Sequence, residues 1–340
     1  MSSSGENTIP NTQKAWLVVK RGKPREAVVL KEDHPVPLPL KEGWKLMKLL
    51  PNFASNRPFI AENDLSGTIS QSNTAEFKPG DAVFGWSPVD LSYKTRLGAL
   101  CEYIRLPSTY VVHKPDNVDF VEAAGVCLAG MTAYQGIELC ELEAGQTVFI
   151  NGGTTAVGSF AIQIAKAKGC KVVATCSTPN VEIVKNLGAD EVIDYKSTPV
   201  IQHLQQNTPN PKYHAIYDTV GSSADLYTAS PSYLAPNGIY VSVGISTGGL
   251  GNMIMGAIKT MFWPSWLGGT KRRFKTLLTK NDKKHLEALR DLMAQGKVKP
   301  LVDSTFSFNE VHDAYDRLMT SRAKGKVVVK VIYSFNIRVK

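Results

Sequence analysis

The 340-residue chain has no run of 18 apolar residues, so no transmembrane helix is expected. Nothing repeats at a fixed period, which excludes a solenoid or propeller. The five cysteines (101, 127, 140, 170, 176) form no CxxC pair. Their spacing suits neither zinc chelation nor a disulfide framework, and they read as small core residues in a reducing compartment. The opening Met1-Ser-Ser-Ser-Gly-Glu-Asn has neither the basic-then-apolar pattern of a secretory signal nor Arg-rich amphipathic character. It reads as a loose arm, and the cytoplasm is the expected location. Acidic residues are outnumbered, 30 against 39 basic, for a net charge of +9. The densest basic run, Lys271-Arg-Arg-Phe-Lys275, comes without a recognition motif. It reads as a solvated face or a general attraction for an anionic cofactor, and nucleic acid is not the expected partner.

What the chain does have is ordinary globular composition, 43% hydrophobic and 20% charged, and length enough for two domains. Residues 147 to 195 are the most informative. Thr147-Val-Phe-Ile-Asn151 reads as a strand. Gly152-Gly-Thr-Thr-Ala-Val-Gly158 then opens an apolar-periodic helix, and a second strand follows at Lys171–Cys176. This strand, Gly-rich turn, helix, strand order is the unit that holds a dinucleotide, with the pyrophosphate at the helix N-terminus. The motif lacks its middle glycine, since Thr155 stands between Gly153 and Gly158. A tight turn without a ligand is the alternative for this segment alone. Further strands are expected at Glu191–Tyr195, Tyr213–Gly221 and Gly238–Gly244, alternating with helices. That alternation predicts a doubly wound parallel sheet.

Residues 14 to 125 differ. Short strands at 14–20, 27–31, 65–71, 81–84 and 99–106 predict a small all-β unit. Residues 119–141 read as two helices joined at Leu128-Ala-Gly130. Amphipathic helices are predicted at 283–295 and 309–321, with Leu286, Leu289, Leu292 and Met293 on one face of the first. A strand at Gly325–Val331 closes the chain. The fold class is therefore α/β: a doubly wound, Rossmann-type cofactor domain at 126–281, and a β-rich domain at 1–125 with a return at 282–340.

That organisation resembles the medium-chain dehydrogenase/reductase superfamily, which implies that residues 1–125 are a GroES-like β-rich catalytic domain completed by 282–340. The resemblance rests on Glu62-Asn-Asp-Leu-Ser-Gly67, Phe77-Lys-Pro-Gly-Asp-Ala-Val-Phe-Gly85, Gly98-Ala-Leu-Cys-Glu-Tyr103, Ala123-Ala-Gly125, Thr132-Ala-Tyr134, the Gly-rich turn, Leu187-Gly-Ala-Asp190 and Asp194-Tyr195. Within the superfamily the chain is similar to the zinc-free quinone oxidoreductase and fungal trans-acting enoyl reductase branch. Zinc alcohol dehydrogenases carry Gly-His-Glu where this chain has Glu62-Asn63-Asp64, so Asn63 replaces the ligand histidine. The four-cysteine zinc lobe is absent as well. No metal site is expected, and without a Lewis acid neither is oxidation of an alcohol. One departure is large. Pro37-Leu-Pro-Leu-Lys-Glu-Gly43 runs directly into Trp44-Lys-Leu-Met-Lys-Leu-Leu50, where relatives have a further strand and an Asn-Pro loop. That segment covers one side of the nicotinamide pocket in relatives. Phe53 also stands near a position where many relatives have a proton-donating tyrosine. The β-rich domain is expected to be incomplete around Gly43–Trp44.

The second strand of the dinucleotide unit ends Thr175-Cys176-Ser177-Thr178, without the carboxylate that binds a ribose 2′-hydroxyl in NAD enzymes. NADPH is therefore the expected cofactor. Ser177, Thr178 and Asn180 are candidates for its 2′-phosphate, with Lys185 as a further one; Ser177 reads equally as a helix N-cap. The resemblance adds Tyr195 beside the adenosine phosphate. Gly153, Thr154, Thr155, Ala156, Val157 and Gly158 would meet the pyrophosphate. Val220, Gly221, Val243 and Gly244 would line the ribose and nicotinamide, with Thr132, at a helix start, close by. The expected reaction is zinc-independent transfer of hydride from NADPH to an α,β-unsaturated carbonyl (an enoyl or alkenal group) or a quinone. Hydrogen bonds would stabilise the enolate, and a phenol or solvent would give the proton. Tyr93 is the candidate phenol, against the plainer reading of a loop anchor. The Met- and Trp-rich stretch Ile245–Gly269 reads as pocket wall, dimer contact or membrane-surface patch, so a homodimer stays open. The alternative of another class is an NADPH-binding protein with little turnover, a redox sensor or a nucleic-acid binder.

Overall fold

The computed structural model describes residues 9–37, 57–88, 91–92, 95–221, 224–243, 270–331 and 336–339. Its elements run β1 (Thr12–Val18), α1 (Pro24–Ala27), β2 (Val28–Pro35), β3 (Phe59–Ile60), β4 (Asp64–Ser72), β5 (Ala82–Trp86), β6 (Tyr103–Leu106) and β7 (Val111–His113). Two helices follow, α2 (Phe120–Ala124) and α3 (Cys127–Leu139). The middle of the chain alternates: β8 (Thr147–Asn151), α4 (Ala156–Ala167), β9 (Lys171–Cys176), α5 (Val181–Asn186), β10 (Glu191–Asp194), α6 (Val200–Gln206), β11 (Tyr213–Asp218), α7 (Ala224–Thr228), β12 (Leu234–Ser242) and β13 (Arg273–Thr276). The C-terminal part holds α8 (Lys283–Ala294), β14 (Val302–Ser307), α9 (Val311–Met319), β15 (Lys326–Lys330) and β16 (Asn336–Val339).

The middle strands form one six-stranded sheet in the order β10-β9-β8-β11-β12-β13, every pair parallel. The order reverses between β8 and β11, the switch point outside which open parallel sheets bind their ligands. β8, β9 and β11 read Val-Phe-Ile, Val-Val-Ala and Ala-Ile-Tyr, and these residues are buried. Strands covered on both faces have that continuous apolar character. α4 and α3 pack on one face, where Phe160, Ile164, Met131 and Ile137 join the largest core cluster. Tyr213, Tyr227, Tyr233 and Tyr240 fill the cluster on the other side.

The remaining strands form the β-rich part, in which antiparallel and parallel pairs are mixed. A five-stranded sheet runs β6-β16-β4-β5-β7, a three-stranded one β2-β1-β3, and β14 pairs with β15. Ile60, Leu65, Ile69, Val83, Ile104 and Ile337 share a core there. The two chain ends meet in it. The Trp16 indole donates to the Phe308 carbonyl at 2.8 Å, and β16 lies parallel between β4 and β6.

The structure corrects several expectations. The helix joint lies at Gly125-Val126, not at 128–130, which fall inside α3. Gly130 faces the Leu289 side chain of α8, so its missing side chain lets two helices approach and does not mark a turn. Thr132 consequently sits in the helix interior, not at a helix start. Tyr103–Leu106 alone is strand within 99–106, and β12 begins at Leu234, ahead of Gly238. The basic run is partly exposed, and it is also a strand. Arg273–Thr276 is the edge strand β13, and Arg273 and Lys275 both pair with Glu141 at 2.8 Å. Arg273 first, then Lys275, holds the Glu141 carboxyl down at about 2. A strand beyond Val331 was not expected, yet β16 is one. Residues 38–56, which include Gly43, Trp44 and Phe53, lie outside the described residues, as do Tyr93, Gly244 and 245–269.

Candidate functional site

The turn after β8 is organised by Thr155. Its hydroxyl accepts from the Gly158 amide at 2.9 Å, which makes it the N-cap of α4, and donates to the Gly152 carbonyl at 2.9 Å. That hydroxyl is thereby engaged inside the turn, so the expected extra bond to a ligand is not available from it. The amides of Thr154, Ala156 and Val157 have no hydrogen-bond partner among the described residues. Three free donors at the start of a helix, with the positive end of its dipole behind them, fit a pyrophosphate.

β11 delivers the opposite wall. Val220 and Thr219 crowd the position where a Gly152 side chain would stand, at 2.5 and 2.8 Å, so Val220 lies directly over the Gly-rich turn. Asp218, at the end of β11, was not singled out in the sequence, yet it holds this corner. Its Oδ1 accepts from Asn151 Nδ2 at 2.9 Å and from the amides of Val220 and Gly221 at 3.1 and 3.0 Å; its Oδ2 accepts from the Tyr240 hydroxyl at 2.9 Å. Burial, reinforced by the adjacent Asp218 charge, pushes the Tyr240 phenol well up, so it stays a donor. A buried carboxylate with four donors is satisfied and rigid. The available sequence signal was an acid at the carboxyl end of an apolar strand.

β9 and β10 place the remaining candidates together. The Tyr195 amide donates to the Cys176 carbonyl at 3.1 Å, so Tyr195, 45% exposed, stands beside Ser177. Ser177 does not cap through its side chain. Its hydroxyl instead accepts from Asn180 Nδ2 at 3.0 Å, and no acceptor among the described residues takes its own proton. Asn180 Oδ1 is buried without a partner among the described residues. An orphaned acceptor here fits a ribose hydroxyl, and a free Ser177 O–H fits a phosphate oxygen. The second strand does end without a carboxylate, but the third brings Asp194 to the hydroxyl of Thr178. That bond, then the Lys196 amide, holds the Asp194 carboxyl below its usual range. Thr178 is thus occupied by Asp194, and Lys185 pairs with Glu182 at 2.9 Å.

On the β-rich side, Thr132 donates to the Leu128 carbonyl at 2.6 Å and shares a 2.7 Å hydrogen bond with the Thr279 hydroxyl. Gln135 fixes the same loop, donating to the Lys280 carbonyl at 2.8 Å and accepting from its amide at 3.1 Å. Thr279 had no sequence signal, because its loop follows a strand that read as a basic run. Val243 bonds by its amide to the Asp218 carbonyl at 3.1 Å.

The Glu62-Asn63-Asp64 segment does not fit a zinc site. Glu62 accepts from the Tyr315 hydroxyl at 2.5 Å. Asp64 accepts from the Leu128 amide at 3.0 Å and from Lys326 Nζ at 2.9 Å. The two carboxylates are committed to protein partners, and Asn63 offers only an amide. No group of three or more His, Cys, Asp or Glu residues that could hold a metal occurs among the described residues. No helix among them is long and apolar enough to cross a membrane.

Comparison with known proteins adds three findings. Residues 187–329 match the family described as zinc-binding dehydrogenase; the match does not reach Asn63. The chain is 35% identical over 357 residues to the trans-enoyl reductase pgmF of Aspergillus terreus, covering 96% of this chain and 98% of the relative. That span exceeds the chain's own 340 residues, so the relative carries residues with no counterpart here. The chain is 31% identical to the 2-methylene-furan-3-one reductase of Solanum lycopersicum, covering 96% of this chain and 81% of the relative. The solved structure of the quinone oxidoreductase from Coxiella burnetii superposes with a TM-score of 0.73 at 25% identity, covering 94% of this chain and 99% of that one.

Proposed function

The chain belongs to the medium-chain dehydrogenase/reductase superfamily, and on that footing we propose that it is an NADPH-dependent, zinc-independent reductase of α,β-unsaturated carbonyls or quinones. The family establishes an enoyl- or quinone-reductase-like oxidoreductase; the cofactor, the absence of zinc and the substrate class are the proposal. The observation that carries it is the pairing of three free amides at Thr154, Ala156 and Val157 with a strand end that offers the Ser177 hydroxyl in place of a carboxylate.

NADPH would supply a hydride from its nicotinamide. The chain's own groups bind and orient. The amides at the start of α4 take the pyrophosphate, and Ser177 with Tyr195 faces the 2′-phosphate. Asn180 Oδ1 accepts from the adenosine ribose. Asp218 fixes Val220 and Gly221 as a rigid wall, and Thr132 with Thr279 closes the nicotinamide end. An α,β-unsaturated carbonyl that accepts hydride at its β-carbon develops enolate charge on oxygen, which fixed hydrogen-bond donors stabilise. The proton would come from solvent or a phenol, for which Tyr93, outside the described residues, is the candidate. In this reading residues 126–281 bind the cofactor, and 1–125 with 282–340 cover it.

The test is a steady-state assay of NADPH oxidation with a panel of enals, enoyl thioesters and quinones. Turnover with none of them, while NADPH binds, would favour the second reading, an NADPH-binding protein with little turnover. One observation supports that alternative: a cavity of about 1100 Å³ opens beside Asn63 and Asp64 in the β-rich part.

A further inference from the structure

Thr132, Gln135 and Glu138 recur at every third residue of α3 and so lie along one face of that helix. Each holds a different part of the segment that runs from β13 into α8. Thr132 meets Thr279, hydroxyl to hydroxyl, at 2.7 Å. Gln135 takes both backbone groups of Lys280: its Oε1 accepts from the amide, and its Nε2 donates to the carbonyl. Glu138 lies 2.9 Å from Nε2 of His285, in the first turn of α8. Asn281 ties the same segment to the β-rich part. Its Oδ1 accepts from Trp86 Nε1 at 2.7 Å, and its Nδ2 donates to the Thr109 carbonyl at 3.2 Å.

The Lys280 backbone fixes which way round the Gln135 amide sits. A backbone N–H only donates and a carbonyl only accepts, so Oε1 and Nε2 cannot exchange places. The second Nε2 proton then faces His285 Nδ1, 3.2 Å away. Nδ1 must accept it, and the ring proton sits on Nε2, toward Glu138. A doubly protonated ring would set N–H against N–H at Gln135. The charges around the ring pull the other way. Glu138 on α3, and Asp282 at the start of α8, 3.8 Å from Nδ1, both favour imidazolium. Tyr134 packs on the ring with centroids 5.2 Å apart; burial, then the Glu138 charge, pushes its phenol up, so it stays neutral. Further along, His113 on β7, which packs against α8, is turned to Asp81, and Lys283 on α8 pairs with Glu76.

We propose that Gln135 and His285 are positioning residues for the nicotinamide end of the cofactor, and that Gln135 grips Lys280 only while His285 is neutral. When Nδ1 takes a proton, its N–H opposes that of Gln135 and finds its acceptor in Asp282. Gln135 turns away, its two bonds to Lys280 open, and Thr279 is no longer held against Thr132. Nicotinamide as the group held here rests on the cofactor reading above. The segment follows β13 at the carboxyl edge of the parallel sheet, where ligands bind in such sheets. The response of Gln135 to the proton rests on the hydrogen bonds alone.

The test compares the full-length protein with His285→Asn, whose Oδ1 stands where Nδ1 does, accepts from Gln135 and does not titrate. The first readout is the protection factor of the Lys280 amide in hydrogen exchange, without cofactor, at about pH 8 and about pH 5, either side of the range in which histidines usually titrate. It should fall about fivefold or more in the parent and hold in the variant. Glu138→Gln, which removes one of the two carboxylates that favour the charged ring, should move the fall to lower pH. The second readout is how much more tightly NADP⁺ binds than 2′-phospho-ADP-ribose, the same molecule without nicotinamide. Titration of the 2′-phosphate is common to both and cancels. That advantage should shrink at low pH in the parent and stay constant in His285→Asn. The proposal is overturned if parental protection does not change with pH, if His285→Asn loses it equally, or if Glu138→Gln moves the fall upward or not at all. It is also overturned if Lys280 loosens while the advantage stays constant, in which case the cofactor reading stands. Failure of both ligands to bind at high pH overturns the cofactor reading, and the positioning role with it, whatever Lys280 does.

Discussion

The hydroxyl of Tyr217 on β11 donates to the carbonyl of Thr132 on α3 at 2.8 Å, and in reaching it the ring occupies the place of a side chain at Gly136. A Cβ at Gly136 would lie 2.1 to 2.6 Å from three atoms of that phenol. Burial pushes the Tyr217 phenol far up, so it remains a donor at any ordinary pH. The sheet and the helix that carries Thr132 are therefore held at a fixed distance by one ring.

Replacing Gly136 with Ala should break that arrangement. Overpacking of a tight core site costs about 1–3 kcal/mol, and here the Thr132 carbonyl also loses its donor. A lowered midpoint in urea with an unchanged slope is the expected result. A midpoint within error of the parent would show that Tyr217 can move aside.

NADPH should bind more tightly than NADH, and Ser177→Asp should reverse the order. A carboxylate beside the 2′-phosphate repels it, and a tenfold or greater loss of NADPH affinity, about 1.4 kcal/mol, is expected, with NADH little changed. Titration calorimetry with both cofactors decides the matter. Asp194→Asn, which removes the carboxylate that accepts from the Thr178 hydroxyl, should move NADPH affinity the other way.

Thr155→Ala removes the N-cap of α4. The expected cost in stability is about 1 kcal/mol, read as a lower thermal midpoint. NADPH affinity should fall as well, since the Gly158 amide loses its partner and the Gly152 carbonyl one of its donors. Unchanged affinity would detach the turn from the cofactor.

Asp303 should mark the acid limit of stability. The Arg317 guanidinium, at 2.6 and 2.7 Å, holds its carboxyl far below the usual carboxylate range against the opposing effect of burial. A depressed folded-state pKa contributes stability that is fully present above the unfolded value, about 3.9. It is lost as the pH falls through the folded value. Denaturation midpoints should therefore decline below about pH 4, and Asp303→Asn should flatten that decline while lowering stability at neutral pH.

Elemental analysis of the purified protein should find no stoichiometric zinc, and chelators should leave activity intact. One tightly held zinc per chain, lost together with activity, would show that the partners of Glu62 and Asp64 yield to a metal.

The parallel sheet was legible because its strands carry short continuous apolar runs and its helices are periodic, as in Val172–Ala174 and Ala156–Ala167. Two kinds of residue misled. Gly130 looks like a joint, but it is a contact point between helices, which local sequence does not distinguish. β13 carries Arg273 and Lys275, charges that an edge strand tolerates because its outer side is open, so it read as surface. At the candidate site, the glycines and the missing acid after Cys176 were visible in order along the chain. The roles of Asp218, Thr279 and Asp194 were not. Each depends on which strands lie side by side, and Asp194 reaches Thr178 only because β10 lies next to β9.

The meeting of Trp16 with Phe308, and of β4 and β6 with β16, sets an order on synthesis. Trp16 and the edges of β4 and β6 that take β16 leave the ribosome long before those partners exist. At roughly 5–20 residues per second, the wait is on the order of 15–60 s. The parallel sheet, whose strands all lie between Thr147 and Thr276, has every partner in hand well before the chain is finished. It can fold while the open edges of β4 and β6 still wait for β16, so the nascent chain's greatest need for chaperone protection falls on those edges.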